Sequence, residues 1–217
     1  MSRIAQTVGT KGSLKWIQKA VAGNKMCIQP DTLPSISWLS PLKNDDYAEY
    51  RDGSFLELIG LSQLAEKLLD FWPARGPQWD ALGQFSGGCV LVEAKAHLSE
   101  FVTPPCKAGA VSRALIDKSL FGLSEFLGVK QRNSWAGQYY QYTNRLAHLW
   151  WLREQGVNAH LCLVGFVGDQ EMNGPNNAED WAEAYSEADE YLGIPQHHAL
   201  SEFVHHLSPQ IRDLHHP

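Results

Sequence analysis

Residues 78–97 read QWDALGQFSGGCVLVEAKAH, and their reading decides the fold. Cys89, Val90, Leu91, Val92, Ala94 and Ala96 form an apolar run suited to a buried strand, yet Glu93 and Lys95 interrupt it. A buried charge is costly unless it is paired, hydrogen-bonded or holding a metal. Ser86-Gly87-Gly88 separates this run from a second strand-like stretch, Trp79–Phe85, and a short glycine-rich link of that kind predicts a β-hairpin. A loop of residues 87 and 88 sets Asp80 opposite Lys95, whereas a loop of 85–88 sets it opposite Glu93. Directly opposed side chains lie about 5 Å apart at Cβ. Glu93 and Lys95, two residues apart, share one face of their strand. Two carboxylates and an ammonium therefore converge in either register. Asp80 and Glu93 suit a hard divalent cation, Mg²⁺ or Mn²⁺, that keeps part of its water shell. Lys95 suits the orientation of an attacking water or the offset of developing charge. A structural salt-bridged trio is the competing reading of the same residues.

Working outward, the chain of 217 residues is 44% hydrophobic and 19% charged, which fits a single domain with a sizeable core. No apolar run approaches a membrane span, and the N-terminus lacks the pattern of a signal peptide. Cys27, Cys89, Cys106 and Cys162 show no metal-type pairing and read as free thiols of a cytoplasmic protein. The net charge of −6 is uneven: residues 1–25 carry five bases and no acid, and residues 169–217 carry ten acids against Arg212 alone. The acidic total argues against nucleic-acid binding, while the basic arm with Trp16 argues weakly for it or is a solvated helix face.

Ser13 caps an expected helix over Leu14–Ala22, ended by Gly23-Asn24, and Ser35–Leu39 reads as extended. A helix is expected from Phe55 to Phe71, with Ser54 and Glu57 as its capping box. Further helices are expected over Ser112–Leu127 and Trp135–Gln155, a buried strand over Asn158–Val167, and outer helices around Trp181–Tyr191 and Leu200–Leu214. A strand that follows a long helix joins its sheet by a crossover, so the expected fold is α/β with a mixed central sheet flanked by helices.

Asp80, a twelve-residue gap and then Glu93-Ala94-Lys95 on a hydrophobic strand resembles the PD-(D/E)xK nuclease superfamily. The resemblance covers residues 50–168 and leaves the basic arm and the acidic C-terminal helical extension outside the core. Trp79, not proline, precedes Asp80, so the literal Pro-Asp pair is missing. The resemblance implies a restriction-endonuclease-like core with extra peripheral helices and Mg²⁺- or Mn²⁺-dependent hydrolysis of nucleic acid, DNA before RNA. It implies Asp80 and Glu93 as metal ligands and Lys95 as the residue assisting the water. It also implies a glutamate from the first helix, here Glu57, on the stripe of Leu61, Leu64 and Leu68; the capping box explains Glu57 equally well. Gln138-Tyr139-Tyr140-Gln141-Tyr142 resembles the Gln-x-x-x-Tyr element of the exonuclease-like branch, which makes Gln138 catalytic and Tyr142 substrate-binding; Arg145, one turn further on, reads as a phosphate contact or as a surface residue. Aromatic core packing is the plainer account of that stretch. The partner expected is nucleic acid, with no membrane and with a homodimer allowed. A non-catalytic binding or assembly module on the same fold is the alternative that the acidic surface favours.

Other chemistries find less in the chain. His197-His198, His205-His206 and His215-His216 have no acidic or cysteine partner at zinc spacing. No phosphate-cradling glycine loop, nucleophile elbow or glycosidase carboxylate pattern is present.

Overall fold

The computed structural model describes residues 3–23, 25–130 and 133–214, so Asn24 and the His215-His216 pair lie outside the described residues. In chain order the first elements are β1 (Arg3–Ile4), α1 (Gly12–Ala22), β2 (Ser37–Ser40), β3 (Glu49–Tyr50), α2 (Asp52–Leu58) and α3 (Ala65–Phe71). The hairpin strands β4 (Ala81–Phe85) and β5 (Gly88–Lys95) follow, then α4 (Ala110–Phe126), α5 (Tyr140–Glu154) and β6 (Ala159–Gly165). The chain closes with α6 (Ala178–Leu192) and β7 (Val204–Leu207).

The fold is α/β. A five-stranded sheet of order β2-β4-β5-β6-β7 is antiparallel from β2 to β5 and parallel from β5 to β7. Strand β6 is buried along its whole length, as expected of a parallel strand covered on both faces. Alternation along β5 divides the core. Val90, Val92 and Ala94 pack with Cys162 and Val164 of β6 against Trp16, Ile17, Ala20 and Val21 of α1. Cys89 and Leu91 pack with Leu161 and Leu163 against Phe55, Leu68, Leu120, Leu146 and Trp181 on the opposite face. Among the described residues no helix is long and apolar enough to cross a membrane.

The hairpin closes through Ser86-Gly87, because Phe85 pairs with Gly88, and Ala81 pairs with Val92. Asp80 stands just ahead of β4, where its backbone N–H donates to the Val92 carbonyl at 3.2 Å, which brings it beside the Glu93 end of β5. The stretch Ser35–Leu39, read as extended, overlaps β2, and α1, α4, α5, β6 and α6 occupy the expected segments with shifted ends.

Two expectations are corrected. The helix expected over Phe55–Phe71 is two short helices, separated at Gly60, whose φ of +75° lies in the left-handed region that ends helices. Helix α2 starts at Asp52 after an extended Arg51, so Ser54 lies inside it and does not cap it. The helix expected over Leu200–Leu214 is instead β7 between two short 3₁₀ turns, Ser201–Phe203 and Ile211–Leu214. Without β7, the fully buried β6 would present a row of unpaired backbone groups along its outer edge. That requirement outweighs helical propensity in the acidic C-terminal segment, whose α-helix among the described residues is α6.

Candidate active site

Glu93 and Lys95 end β5, alongside Gly165 at the end of β6, so they stand at the carboxyl end of the parallel strands. Ligands of open α/β sheets bind in that position. Beyond the strand ends lies a cavity of about 750 Å³, lined by Glu49, Asp80, Glu93, Lys95, Asn144 and Arg145 among others. The 72–78 segment forms one wall, held by Asp52, whose carboxylate accepts the backbone N–H of Gly76 at 2.9 Å and of Arg75 at 3.2 Å. Asp80 is fixed from the strand itself: its Oδ2 accepts the backbone N–H of Ala94 at 2.7 Å.

Glu93 is 5% exposed and ion-paired on both oxygens. Its Oε1 is bound by Lys95 Nζ, and its Oε2 by Nε and Nη2 of Arg145, each at 2.5 Å. Arg145 has two further acceptors at 2.8 Å, Asn144 Oδ1 and the Gln78 carbonyl, and its guanidinium lies 4.9 Å from the Trp79 ring centroid. Burial alone would raise the Glu93 carboxyl, but Arg145 and Lys95 together hold it below the ordinary range. Burial would likewise lower the Lys95 ammonium, but the charges of Glu93 and Asp80 push it up. This part of the cluster is a buried carboxylate between two cations, and it explains how β5 tolerates its charges.

Asp80 and Glu49 are not matched in that way. Among the described residues neither Asp80 nor Glu49 forms an ion pair. Burial and the neighbouring Glu93 charge push Asp80 well above the carboxylate range, against the pull of Lys95. Burial pushes Glu49 up as well, although its Oε2 accepts hydrogen bonds from Gln78 Nε2 and, at 3.0 Å, from Gln6 Nε2. The cavity therefore holds two carboxylates whose ionisation is resisted and which a cation would relieve. Among the described residues no three His, Cys, Asp or Glu side chains form a ready-made metal cage. A hexahydrated ion such as Mg²⁺ asks for less, typically one or two carboxylates plus water. Glu93 can join such a set, since a carboxylate offers about four lone-pair sites. Asp80 and Glu93, with Glu49 lining the same cavity, are the residues that could contribute oxygens to such an ion.

Of the expected site residues, Asp80, Glu93, Lys95 and Arg145 share the cavity. Arg145 is buried in the cluster, not on the surface. Glu57 does not join them: it is exposed and outside the cavity, because α2 begins at Asp52 and ends before Gly60, which breaks the stripe through Leu61, Leu64 and Leu68. Gln138 also lies outside the cavity, in a turn before α5, so it shares no helical face with Tyr142. Tyr142 is buried away from it and donates its hydroxyl to Asp189 at 2.8 Å. The face that α5 turns to the cavity carries Gln141 and Arg145, one turn apart. Glu49 was missed, although it carries the same signal as Glu93, a lone acid in the apolar and aromatic stretch Tyr47-Ala48-Glu49-Tyr50. In comparisons with protein families, curated proteins and solved structures, nothing matches this chain.

Proposed function

We propose that the protein is a Mg²⁺- or Mn²⁺-dependent nuclease with a PD-(D/E)xK-like site on a restriction-endonuclease-like core. The observation that carries this reading is the pair of unmatched carboxylates, Asp80 and Glu49, in one cavity with the Glu93–Lys95 pair at the carboxyl ends of parallel strands. Asp80 and Glu93 would hold the ion, and Glu49 would support it through its charge. A bound ion of this type supplies a Lewis acid for a phosphoryl oxygen and lowers the pKa of a coordinated water. Arg145 keeps Glu93 ionised and in place. Lys95, raised as an acid by Glu93 and Asp80, stays protonated and offsets negative charge on a phosphodiester undergoing attack.

Plasmid DNA incubated with the purified protein should be nicked in MnCl₂ or MgCl₂ and left intact in EDTA, and Asp80→Asn should abolish nicking. Calorimetry should find Mn²⁺ binding weakened by Asp80→Asn and Glu49→Gln and unchanged by Glu57→Gln. Cleavage that persists in EDTA, or Mn²⁺ affinity indifferent to Asp80, would overturn the reading. A second reading, a non-catalytic binding module on the same fold, is favoured by one feature: both Glu93 oxygens are already ion-paired. Mn²⁺ binding without cleavage of DNA or RNA supports it.

A further inference from the structure

The wall of the cavity beyond the charged cluster has a different character. Tyr140, at the start of α5, lies nearly parallel to Trp72, with ring centroids 6.5 Å apart and planes 16° apart, and both line the cavity. Val102 and Pro104 continue the apolar wall. Arg75 and Lys107 also line it, both exposed, and among the described residues neither forms an ion pair. The cavity is thus electrically mixed in a chain of net charge −6, with aromatic, apolar and cationic groups meeting in one place.

Resting on the nuclease reading, we infer that the site takes an unpaired nucleic-acid strand or strand end, with a base against Tyr140 and flanking phosphates on Arg75 and Lys107. A duplex offers the protein only base edges, in its grooves. A side chain stacks on a base only when that base has left its own stack. An aromatic wall inside the cavity therefore acts on single strands. A volume of about 750 Å³ also falls within the size of an enclosing ligand pocket. The two cations bring phosphate contacts to a protein whose overall charge repels them.

Fluorescence anisotropy of the full chain in EDTA, with a fluorescein-labelled single-stranded oligothymidylate and a blunt duplex of equal length, tests this without cleavage. The single strand is expected to bind at least about tenfold more tightly. Loss of base stacking is worth roughly 1–3 kcal/mol, so Tyr140→Ala should weaken single-strand binding by about 5- to 150-fold, and Tyr140→Phe should restore it. Arg75→Ser with Lys107→Ser should reduce the slope of log affinity against log salt by about 1.4, close to 0.7 per phosphate contact. Both of those side chains are exposed, so this variant decides the matter even if Tyr140→Ala unfolds. Equal or tighter binding of duplex overturns the inference, as does an unchanged affinity in Tyr140→Ala or an unchanged salt slope in the double variant. Metal-dependent cleavage of duplex without preference for unpaired DNA overturns this inference and leaves the nuclease reading standing. Strand binding with no cleavage of either form overturns the nuclease reading alone.

Discussion

Replacing Arg145 with methionine keeps much of the side-chain volume and removes the guanidinium that bridges Glu93, Asn144 and the Gln78 carbonyl. Breaking a buried ion pair by deleting one partner costs about 3–5 kcal/mol, because the remaining charge is left without its match. Lys95 still binds Glu93 Oε1, which places the expected cost near the lower end, about 3 kcal/mol. For a chain of this size each kcal/mol moves the melting temperature by about 2–4 °C, so Arg145→Met should melt about 6–12 °C below the parent. The measurement is thermal unfolding by circular dichroism in EDTA at pH 7.5.

The pH dependence carries a second check on the same reasoning. Glu93 has a folded pKa held below its unfolded value, so its contribution is present above about pH 4.3 and is lost as pH falls through the folded pKa. The gap between parent and Arg145→Met should therefore narrow as the pH is lowered below about 4.3. Glu93→Gln strands two cations instead of one anion, and the double variant strands only Lys95. In a double-mutant cycle the two losses should fall short of additivity by more than about 0.5 kcal/mol. A single-variant loss below about 1 kcal/mol, or additive losses, would refute the view that Arg145 is what lets β5 end on a buried carboxylate.

Asp80→Asn should melt higher than the parent in EDTA at pH 7: the folded pKa of Asp80 is raised, so its ionisation removes stability as pH climbs above about 3.9, and the amide removes that loss. A parent that melts higher than this variant at pH 7 without metal contradicts the picture of an unmatched carboxylate. Burial pushes His148 down to about 3, so the folded state resists its protonation, and stability should fall as pH drops from about 6.5 towards 3. His148→Gln should flatten that fall by up to one proton, read from denaturant midpoints across pH. Gly165→Ala should melt about 2–12 °C lower, since a Cβ there would lie 2.4 Å from the Trp181 ring, an overpacking of about 1–3 kcal/mol; Trp181→Leu in the same chain should recover part of the loss.

The hairpin was legible because two strand-like runs met at a glycine link and the interrupting charges marked one face. Its register was legible only down to two choices, since both expected loops included Gly88, which instead pairs with Phe85. The compensating cation was not legible as such. Arg145 is distant in sequence and comes to Glu93 only because α5 packs on the same face of the sheet as Leu91. Glu57 failed for a local reason. A stripe at helical spacing predicts one inward face only while the helix continues, and the left-handed Gly60 resets the phase of everything after it. Gln138 failed similarly, because Tyr139 adopts φ of +65° and starts α5 one residue later, turning Gln141 to the cavity in its place.

These failures share a direction that bears on function. Glu57, Gln138 and Tyr142 were placed by spacing along the chain and lie outside the cavity; Arg145, placed in the same way, reaches it, and the three acids that reach it are each marked by a conflict between charge and surroundings. Asp80 and Glu93 conflict with apolar strands, and Glu49 conflicts with Ala48 and Tyr50. The cluster answers the conflict at Glu93 with two cations and leaves it standing at Asp80 and Glu49. A site built only for stability would gain by neutralising all three, since burying hydrophobic or amide groups there costs less than burying carboxylates. A site built to receive a cation must keep acids whose ionisation is relieved only when the cation arrives. Metal binding to this protein should therefore release protons, and the apparent Mn²⁺ affinity should rise with pH through the raised Asp80 pKa. Calorimetry in two buffers of different ionisation enthalpy measures that proton release directly, and binding without it would mean that Asp80 was already ionised and the cavity holds no unmet charge.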